Sequence, residues 1–329
     1  MDDVAKRAAI SKSTVSQYLN KRYEYMSVET KERIRQAIEE LGYQPNIIAR
    51  SLTQKSTSTI GVIVANILHK FSTQIIRAIE DYCNEMDFHI IVCNADDEPE
   101  KEKKYIEMLL AKQVDGMIIF PTGGNMDLYE KLQKQKYPLV FVDRAVKGID
   151  ISSIILDNAL ASELAVGHLV DKGYKRIGIV TTEVVRGISP RIERIAGFQQ
   201  AILDRDLEVN KDYIKSLNIK QIQQALHHMF SLDEKPEAIV AGNDLTLFEI
   251  LKYAKANNLS IPGDLALIGI DDVDFASIYS PPLTTIAQPA VEMGKQAASL
   301  LIQKVKKEPN EDCKLVYRFE PKLIVRESC

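Results

Sequence analysis

The chain has 329 residues, of which 45% are hydrophobic and 27% carry a charge, and its formal net charge is -4. The length exceeds one typical domain and the composition suits a globular protein with sizeable cores, which excludes a fibrous or disordered chain. No apolar run is long enough to span a bilayer, and no N-terminal stretch is typical of a signal peptide. We therefore expect a cytoplasmic protein with reduced thiols and no membrane association.

The charge is unevenly distributed along the chain. Residues 1–59 contain ten Lys and Arg against seven Asp and Glu, a net charge of +3, so residues 60–329 carry -4 minus +3, or -7. A basic head on an acidic body favours nucleic-acid binding at one end. The four cysteines lack paired spacings, and the adjacent His227 and His228 would point in different directions on a helix. We therefore expect neither a metal site nor a cofactor.

Two short helices are predicted at the start of the chain. Val4 and Ala8 are spaced to face inward on the first, and Ser11 is a good N-cap for the second, whose Val15 and Leu19 lie on the core side. Such a pair is typical of a helix-turn-helix unit, whose second helix contacts bases and phosphates in the major groove. An ordinary polar helix face is the alternative. The outward polar side chains of the second helix are Lys12, Ser13, Thr14, Ser16 and Gln17.

A third helix is predicted to begin after Ser27, which can serve as its N-cap. Ile34, Ile38 and Leu41 form its apolar stripe. Gly42 follows as a C-cap and ends the helix.

A short fourth helix is predicted over residues 46–52. Pro45 prevents the third helix from continuing, and Asn46 can cap the new one. This helix exposes apolar side chains, including Leu52, is too short to be stable alone in water, and leads into a polar linker at 53–59. A leucine inserted between base steps of the minor groove, in a helix that forms only on DNA, would explain this pattern.

From residue 60 onward, short apolar runs alternate with amphipathic helices. Continuous apolar strands separated by helices predict parallel sheets that are covered on both faces. Seven or more such units split into two doubly wound halves, which bind ligands at the carboxyl ends of their strands. The predicted strands are Ile60–Val64, Phe88–Cys93, Gly116–Phe120, Leu139–Val142, Ile177–Val180, Ala238–Ala241 and Ala266–Ile270.

Polar residues directly after these strands are candidates to line a ligand cleft. For an aspartate at a strand end, capping the next helix is the more common role, and we assign that role to Asp244. Arg191 and Arg194 lie in a predicted helix near the cleft, with Arg186 close by, and the planar fork of arginine suits carboxylates and phosphates. The candidates at strand ends are Asp143, Arg144, Asn243, Asp244, Asp271 and Asp272.

Several short motifs occur along the chain in a specific order. They are Asp3-Val4-Ala5, Ser11-x-x-Thr14-Val15-Ser16, Gly42-Tyr43-x-Pro45-Asn46-x-x-Ala49-Arg50-Ser51-Leu52, Ile60-Gly61-Val62, Gly269-Ile270-Asp271-Asp272, Pro281-Pro282-Leu283-Thr284-Thr285-Ile286 and Leu323-Ile324-Val325-Arg326-Glu327-Ser328. Each is weak alone, but together and in this order they are highly specific. The chain resembles the lactose/galactose repressor (LacI/GalR) family of bacterial transcription regulators.

The resemblance implies a small all-α helix-turn-helix head and an α/β body with the two-lobed architecture of periplasmic binding proteins, built on doubly wound parallel sheets. We expect the head at 1–45, the hinge helix and linker at 46–59, and the effector-binding and dimerisation body at 60–329. We place the first lobe at about 60–157 and 289–319, and the second at about 158–288 and 320–329. The crossovers are expected near 156–159, 285–288 and 318–320.

The resemblance also implies site residues. Those expected to bind DNA are Lys12, Ser13, Thr14, Ser16, Gln17, Asn20, Asn46, Arg50 and Leu52, the last as the minor-groove lever. Those expected to bind the effector are Phe71, Ser72, Asp143, Arg144, Arg191, Arg194, Asn243, Asp271 and Gln288.

Three features depart from the family pattern. Gln17 stands where Arg is usual, so base preference is expected to differ there. Ala9 replaces the usual Gly of the inter-helix turn, at a cost of roughly 1 kcal/mol if that turn needs a positive φ. The connection at residues 21–26 is longer than usual. The chain also begins almost at Asp2, so either some N-terminal phosphate contacts are missing or the true start lies upstream.

The function expected from these features is a homodimeric, ligand-responsive repressor of carbohydrate-utilisation genes that binds double-stranded operator DNA. The arginines favour an anionic carbohydrate effector, a sugar acid or sugar phosphate, as in the ketodeoxygluconate (hexuronate) regulators, which the recognition segment also resembles. A neutral sugar, corepression instead of induction, and a tetramer instead of a dimer stay open.

Two other classes of protein are the alternatives. One is an exported-type sugar-binding protein without a DNA role, which would leave the basic head unexplained. The other is a sugar-metabolising enzyme, for which neither a Gly-rich phosphate loop nor a Ser/His/Asp constellation is evident.

Overall fold

The computed structural model describes residues 1–20, 22–24, 26–43, 56–184, 189–308 and 314–329, and the chain divides into two compact units, Met1–Thr57 and Ser58–Cys329. The predicted hinge residues Asn46, Arg50 and Leu52, together with Arg186, lie outside the described residues. Within the described part of the chain, no helix combines the length and the apolar character needed to cross a membrane.

The first unit contains helices α1 (Asp2–Arg7), α2 (Lys12–Leu19) and α3 (Val28–Leu41). Each of the two longer helices begins as predicted: Ser11 Oγ accepts the Thr14 amide at 3.1 Å, and Ser27 Oγ accepts the Thr30 amide at 3.2 Å. These caps satisfy backbone donors that a helix start leaves open. The buried core of the unit is Val4, Ala5, Ala8, Val15, Ile34 and Ala37.

The apolar stripe of α3 differs from the prediction at one position. Leu41 is 46% exposed, whereas Ala37 is buried. Leu41 is the last residue of α3, one turn past Ala37, and so lies beyond the part of the face that the short helices α1 and α2 cover. Gly42 ends the helix in the left-handed conformation at φ 56°, as predicted.

The first lobe of the second unit carries a sheet of six strands among the described residues, in the order β11-β5-β4-β3-β1-β2, all parallel. Its strands are β1 (Thr59–Val64), β2 (His89–Asn94), β3 (Gly116–Ile119), β4 (Leu139–Val142), β5 (Ser153–Leu156) and β11 (Val316–Phe319). Its helices are α4 (Lys70–Glu85), α5 (Pro99–Ala111), α6 (Met126–Lys134) and α11 (Ala290–Lys306).

The second lobe likewise carries six strands within its described ranges, in the order β12-β10-β9-β8-β6-β7. They are β6 (Ile177–Thr182), β7 (Ile214–Leu217), β8 (Ala238–Ala241), β9 (Ala266–Ile270), β10 (Thr284–Ala287) and β12 (Lys322–Ile324). Its helices are α7 (Asn158–Asp171), α8 (Ser189–Leu203), α9 (Ile222–Phe230) and α10 (Asp244–Ala256).

The chain passes from one sheet to the other after β5, after β10 and after β11. The two doubly wound halves of the predicted α/β body are confirmed, with one exception: β12 pairs with β10 in the antiparallel direction. Only Glu320 and Pro321 separate β12 from β11. Because β11 and β12 belong to different sheets, this short link joins the two lobes, and β12 takes the edge position beside β10.

Helix α8, which carries two of the candidate arginines, packs very closely against α7. A Cβ atom on Gly197 would lie 2.7 Å from Ala159 Cα and 2.9 Å from its carbonyl oxygen. Only glycine therefore permits this approach. The close packing brings Arg194 on α8 within hydrogen-bonding distance of Asn158 at the start of α7.

The turn between α1 and α2 generates a stability prediction. Ala9 has φ 51°, in the left-handed region, and Arg33 Nη2 donates hydrogen bonds to the carbonyl oxygens of Ala8 and Ala9. A left-handed alanine costs about 1–2 kcal/mol, and an added glycine costs about 0.5–1 kcal/mol in entropy, so Ala9→Gly should stabilise the head by about 0.5–1 kcal/mol.

Hydrogen exchange of the α1 and α2 amides in the full chain measures this stability. Ala8→Gly is the matched control, because Ala8 has φ -79°. It should make exchange faster, whereas Ala9→Gly should make it slower. Faster exchange in both variants would show that the positive φ of Ala9 stores no strain.

Candidate effector site and recognition helix

Helix α2, the predicted recognition helix, presents a polar face to solvent. Lys12, Ser13 and Gln17 are exposed, and Thr14 and Ser16 are half-buried. Part of this face is already engaged within the head. Lys12 Nζ pairs with Asp2. The hydroxyls of Ser13 and Thr14 lie 2.6 Å and 2.8 Å from Ser11 Oγ. Asn20 Nδ2 donates to the Ser16 carbonyl at 2.9 Å.

Asn20 therefore closes the C-terminus of α2, while Ser13 and Gln17 lie four residues apart on its exposed side. Side chains at this spacing share one helix face, so these two can contact neighbouring base pairs.

The residues expected to bind the effector surround one cavity between the two lobes, at the carboxyl ends of the strands. The cavity encloses about 500 Å³ when its open mouth is included, within the range of small-molecule sites. The predicted residues that line it are Phe71, Ser72, Asp143, Arg144, Arg191, Arg194, Asn243, Asp271 and Gln288. The lining residues that sequence reasoning missed are Ala65, Asn66, His69, Phe120 and Pro190.

The first lobe contributes a buried arginine to the cavity. Arg144 donates from Nη1 to the Pro121 carbonyl and from Nη2 to Asp97 Oδ1, both at 2.9 Å. Its Nε lies 3.3 Å from Asp143 Oδ2. Arg144 thus has two carboxylate neighbours, which compensate the burial of its charge.

The second lobe contributes two further arginines from α8. Arg194 is held by neutral acceptors, with Nε donating to Asn158 Oδ1 at 2.9 Å and Nη1 to the Gly242 carbonyl at 2.6 Å. Arg191 Nη1 donates to the Glu183 carbonyl at 2.7 Å. Burial, reinforced by the nearby charge of Arg144, lowers the pKa of Arg191 to about 10. The cavity therefore holds a guanidinium whose charge is incompletely compensated.

Asn243 lines the cavity as predicted and also takes the capping role that the sequence assigned to Asp244. Asn243 caps α10: its Oδ1 accepts the Thr246 amide at 2.8 Å, and its own amide donates to Thr246 Oγ1 at 3.0 Å. Asp244 is the first residue of the helix, so its assignment as a cap was wrong. The reciprocal capping pair requires a suitable side chain three residues after the cap, and Thr246 occupies that position for Asn243.

Asp271 is buried at the base of the cavity with a left-handed φ of 97°. Gln288 Nε2 donates to its Oδ1, and the Asp244 amide donates to its Oδ2 at 3.3 Å. Burial and the charge of Asp244 raise the pKa of Asp271 to about 6. Gln288 Oε1 is buried and has no hydrogen-bond partner among the described residues, so it can accept a bond from a ligand hydroxyl.

Asp272 has a structural role instead of a ligand-binding one. Its Oδ1 accepts Thr285 Oγ1 at 2.7 Å and lies 2.9 Å from Arg326 Nη2. These contacts tie the end of β9 to β10 and to the C-terminal segment.

Charged residues also connect the lobes directly across the cleft. His69 Nδ1 of the first lobe lies 2.5 Å from Asp244 Oδ1 of the second, and the Lys70 amide donates to Asp244 Oδ2 at 2.9 Å. Lys70 Nζ donates to the Asp272 carbonyl at 2.7 Å and to Asp274 Oδ1 at 2.5 Å. His69 and Lys70 lie at the start of α4, beyond the end of β1. They lie five and six residues after Val64, so a rule limited to residues directly after a strand does not select them.

The cavity combines hydroxyl, amide and carboxylate groups with the buried aromatic rings of Phe71 and Phe120. Polar groups at fixed positions can bond several hydroxyls, and an apolar ring can pack against the face of a sugar. Three arginines line the cavity together with the carboxylates of Asp143 and Asp271.

Two stretches of the chain match known sequence families: residues 1–46 match the bacterial regulatory proteins of the lacI family, and residues 166–329 match the periplasmic binding protein-like domain. The chain is 47% identical to the probable HTH-type transcriptional regulator EndR of Paenibacillus polymyxa, over 100% of this chain and 97% of that protein. It is 32% identical to the HTH-type transcriptional regulator KdgR of Bacillus subtilis, over 99% and 96% of the two chains. It is also similar to the crystal structure of the lac repressor dimer bound to operator and the anti-inducer ONPF, with 25% identity, a TM-score of 0.85 and coverage of 99% and 97%.

The pair of His69 and Asp244 makes the stability of the body depend on pH. Burial alone would lower the pKa of His69, but the hydrogen bond and charge of Asp244 outweigh it and raise this pKa above 6.5. The stabilisation is therefore complete below pH 6.5 and is lost as the pH rises through the raised pKa. For Asp244, burial would raise the pKa, but the bond to His69 outweighs it and lowers the pKa below 3.8, so its stabilisation is lost only as the pH falls below that value.

We expect the free energy of unfolding of the wild-type body to decrease as the pH rises from about 6.5 through the raised pKa of His69, and His69→Gln to flatten this slope. Urea unfolding at a series of pH values measures it. His227→Gln, on the exposed face of α9, should retain the wild-type slope. Asp271 contributes its own decrease around pH 6, and the charge of His69 lowers its pKa, so the slopes are compared above about pH 7. An unchanged slope in His69→Gln would contradict the assignment.

Proposed function

We propose, since the chain belongs to the LacI family of bacterial regulatory proteins, that it represses carbohydrate-utilisation genes and releases its operator when an anionic sugar derivative binds in the cleft. Like its relatives, which match it over nearly its full length, the chain is a ligand-responsive, DNA-binding transcription regulator and not an enzyme. We propose that the effector is anionic, that its binding weakens operator binding, and that the protein acts in the cytoplasm.

The observation that carries the anionic effector is the environment of Arg191. Its guanidinium is buried, and its pKa is lowered to about 10 by burial and by Arg144. Among the described residues, the carboxylate within ion-pair distance is that of Asp97, 3.9 Å away, and Asp97 already bonds Arg144 at 2.9 Å. A buried charge without a close partner is costly, and a ligand carboxylate would supply one.

Groups suited to the rest of a sugar derivative surround this arginine. Asn243 and Asp271 present amide and carboxylate atoms, and Gln288 Oε1 is an open acceptor. The sequence resemblance to hexuronate-type regulators, and the relative named KdgR, support an acidic sugar of this kind.

The DNA-binding part of the proposal follows the family. Two heads of a homodimer would read the two halves of a pseudo-palindromic operator through α2. The hinge residues Asn46, Arg50 and Leu52 would fold on the DNA and place Leu52 in the central minor groove. Effector binding would favour one arrangement of the lobes and thereby weaken operator binding, which requires that the effector bind the two arrangements with different affinities.

A thermal-shift panel of neutral sugars, sugar acids and sugar phosphates tests the effector class, because a ligand at a hundred times its dissociation constant stabilises the body by about 2.7 kcal/mol. Acidic sugars should raise the melting temperature and weaken operator binding. Stabilisation by neutral sugars alone would reject the anionic effector, and tighter operator binding would reject induction.

Replacing Arg191 tests its role in that site. Arg191→Gln should weaken the binding of the stabilising sugar acid by about 10- to 100-fold, because a charge-assisted hydrogen bond contributes about 1.5–3 kcal/mol. Arg176→Gln is the matched control, because Arg176 pairs with Glu237 at 2.7 Å outside the cavity. Titration calorimetry measures both. Equal affinity in wild type and Arg191→Gln would remove Arg191 from the site.

Replacing Leu52 tests the hinge. Leu52→Ala should reduce specific operator affinity by at least about tenfold, because the smaller side chain no longer inserts between base steps of the minor groove. The response to sugar acids in the thermal-shift assay should be retained, because the cavity is unchanged. Operator affinity is measured by fluorescence anisotropy with DNA selected from a random pool. A normal operator affinity would exclude Leu52 from the minor groove.

A further inference from the structure

Asp97 is a charged residue that neither the sequence motifs nor the resemblance assigned to the cleft. It follows β2, in a turn where its φ is 57° and its amide donates to the Ala65 carbonyl at 2.6 Å. Its carboxylate bonds Arg144 of its own lobe at 2.9 Å and lies 3.9 Å from Arg191 of the opposite lobe. Asp97 therefore stands between two arginines that line the cavity.

The position of Asp97 is that of an anion bound between two guanidinium groups. Burial would raise the pKa of Asp97, but the charges of Arg144 and Arg191 outweigh it and lower this pKa below 3.8. The carboxylate is therefore ionised at neutral pH. Its side chain retains 25% exposure, and Asp97 contacts two arginines that line the cavity although it is not itself a lining residue.

The charges of the cleft limit how much negative charge a ligand can bring. Asp97 and Asp143 compensate Arg144, and Asp244 pairs with His69. Asp271 acts on Arg194 at longer range. The four cations of this set are matched by four carboxylates, and the carboxylate nearest to Arg191, that of Asp97, lies 3.9 Å away. A ligand carboxylate can therefore bind beside Arg191. A second or third charge would meet the carboxylates of Asp97 and Asp143 in a site of low dielectric constant, where like charges repel strongly.

We propose that Asp97 selects effectors that carry a single negative charge, such as sugar monocarboxylates, against those that carry two or more, such as aldarates and sugar phosphates. Asp97 does so by occupying the second anion position between Arg144 and Arg191 itself. This inference rests on the proposed anionic effector and narrows it from acidic sugars in general to monoanions.

Asp97→Asn changes the charge of this position and little else. Asparagine has nearly the same shape, tolerates a left-handed φ, and retains an oxygen that can accept from Arg144. The neighbouring Asp96 offers a matched control, because it also has a left-handed φ of 52° but pairs with Lys101 and Asn94 on the surface. Asp97→Glu serves as a second variant that keeps the charge.

The probes are pairs that share a carbon skeleton and differ in charge: galacturonate and galactarate, gluconate and phosphogluconate, and ketodeoxygluconate and its phosphate ester. Dissociation constants are measured by titration calorimetry at constant ionic strength on the full chain, with operator release as a second readout. The wild type, Asp96→Asn and Asp97→Glu should bind the singly charged member of a pair more tightly. Asp97→Asn should shift the ratio of the two dissociation constants at least tenfold toward the more highly charged member.

The outcomes separate this inference from the function it rests on. If the wild type binds monoanions and Asp97→Asn leaves the ratio unchanged, or if the wild type prefers the more highly charged probes, the role of Asp97 is refuted while the anionic effector stands. If the wild type binds no anionic probe, the anionic effector fails and the inference fails with it. A shift of the same size in Asp96→Asn would also refute it, because the effect would then come from general surface charge.

Discussion

The two lobes of this regulator meet through charged side chains that face each other across the cleft. His69 and Lys70 of the first lobe contact Asp244 and Asp274 of the second, and Asp97 reaches toward Arg191. Separating the lobes would leave several of these groups without partners until water hydrates them, so opening and closing differ in electrostatic energy as well as in contact area. A ligand that supplies or removes one charge in this cleft can therefore shift the equilibrium between lobe arrangements.

The surrounding fold holds the charged side chains of the cleft at defined positions. Each lobe has its own buried core under a doubly wound sheet, so the strand ends hold their side chains at defined positions. The close approach of α8 to α7 at Gly197 places Arg194 against Asn158, and the capping pair of Asn243 and Thr246 fixes the start of α10. Under the proposed function, a ligand bound between two such lobes would shift their arrangement if it bound the two arrangements with different affinities.

Much of the fold and of the site could be predicted from local patterns. Caps at Ser11 and Ser27 and the left-handed Gly42 mark the ends of the head helices, because capping depends on residues within one turn. The rule that ligands bind at the carboxyl ends of parallel strands, together with the family motifs, selected nine residues that surround one cavity. The antiparallel β12 and the exposed Leu41 were not predicted, because strand direction at a sheet edge and the extent of a helix contact depend on neighbours distant in sequence.

The amino-acid sequence by itself determined the helical head, the alternating strands and helices of the body, and the chemical types of the side chains in the cleft, since periodicity, capping and motif order are local properties. Only the tertiary structure decided which charges become partners. His69 meets Asp244 across 175 positions of the chain, and Asp97 meets Arg144 across 47. The pKa of a buried group, and therefore its role, follows from partners that the chain brings together only by folding.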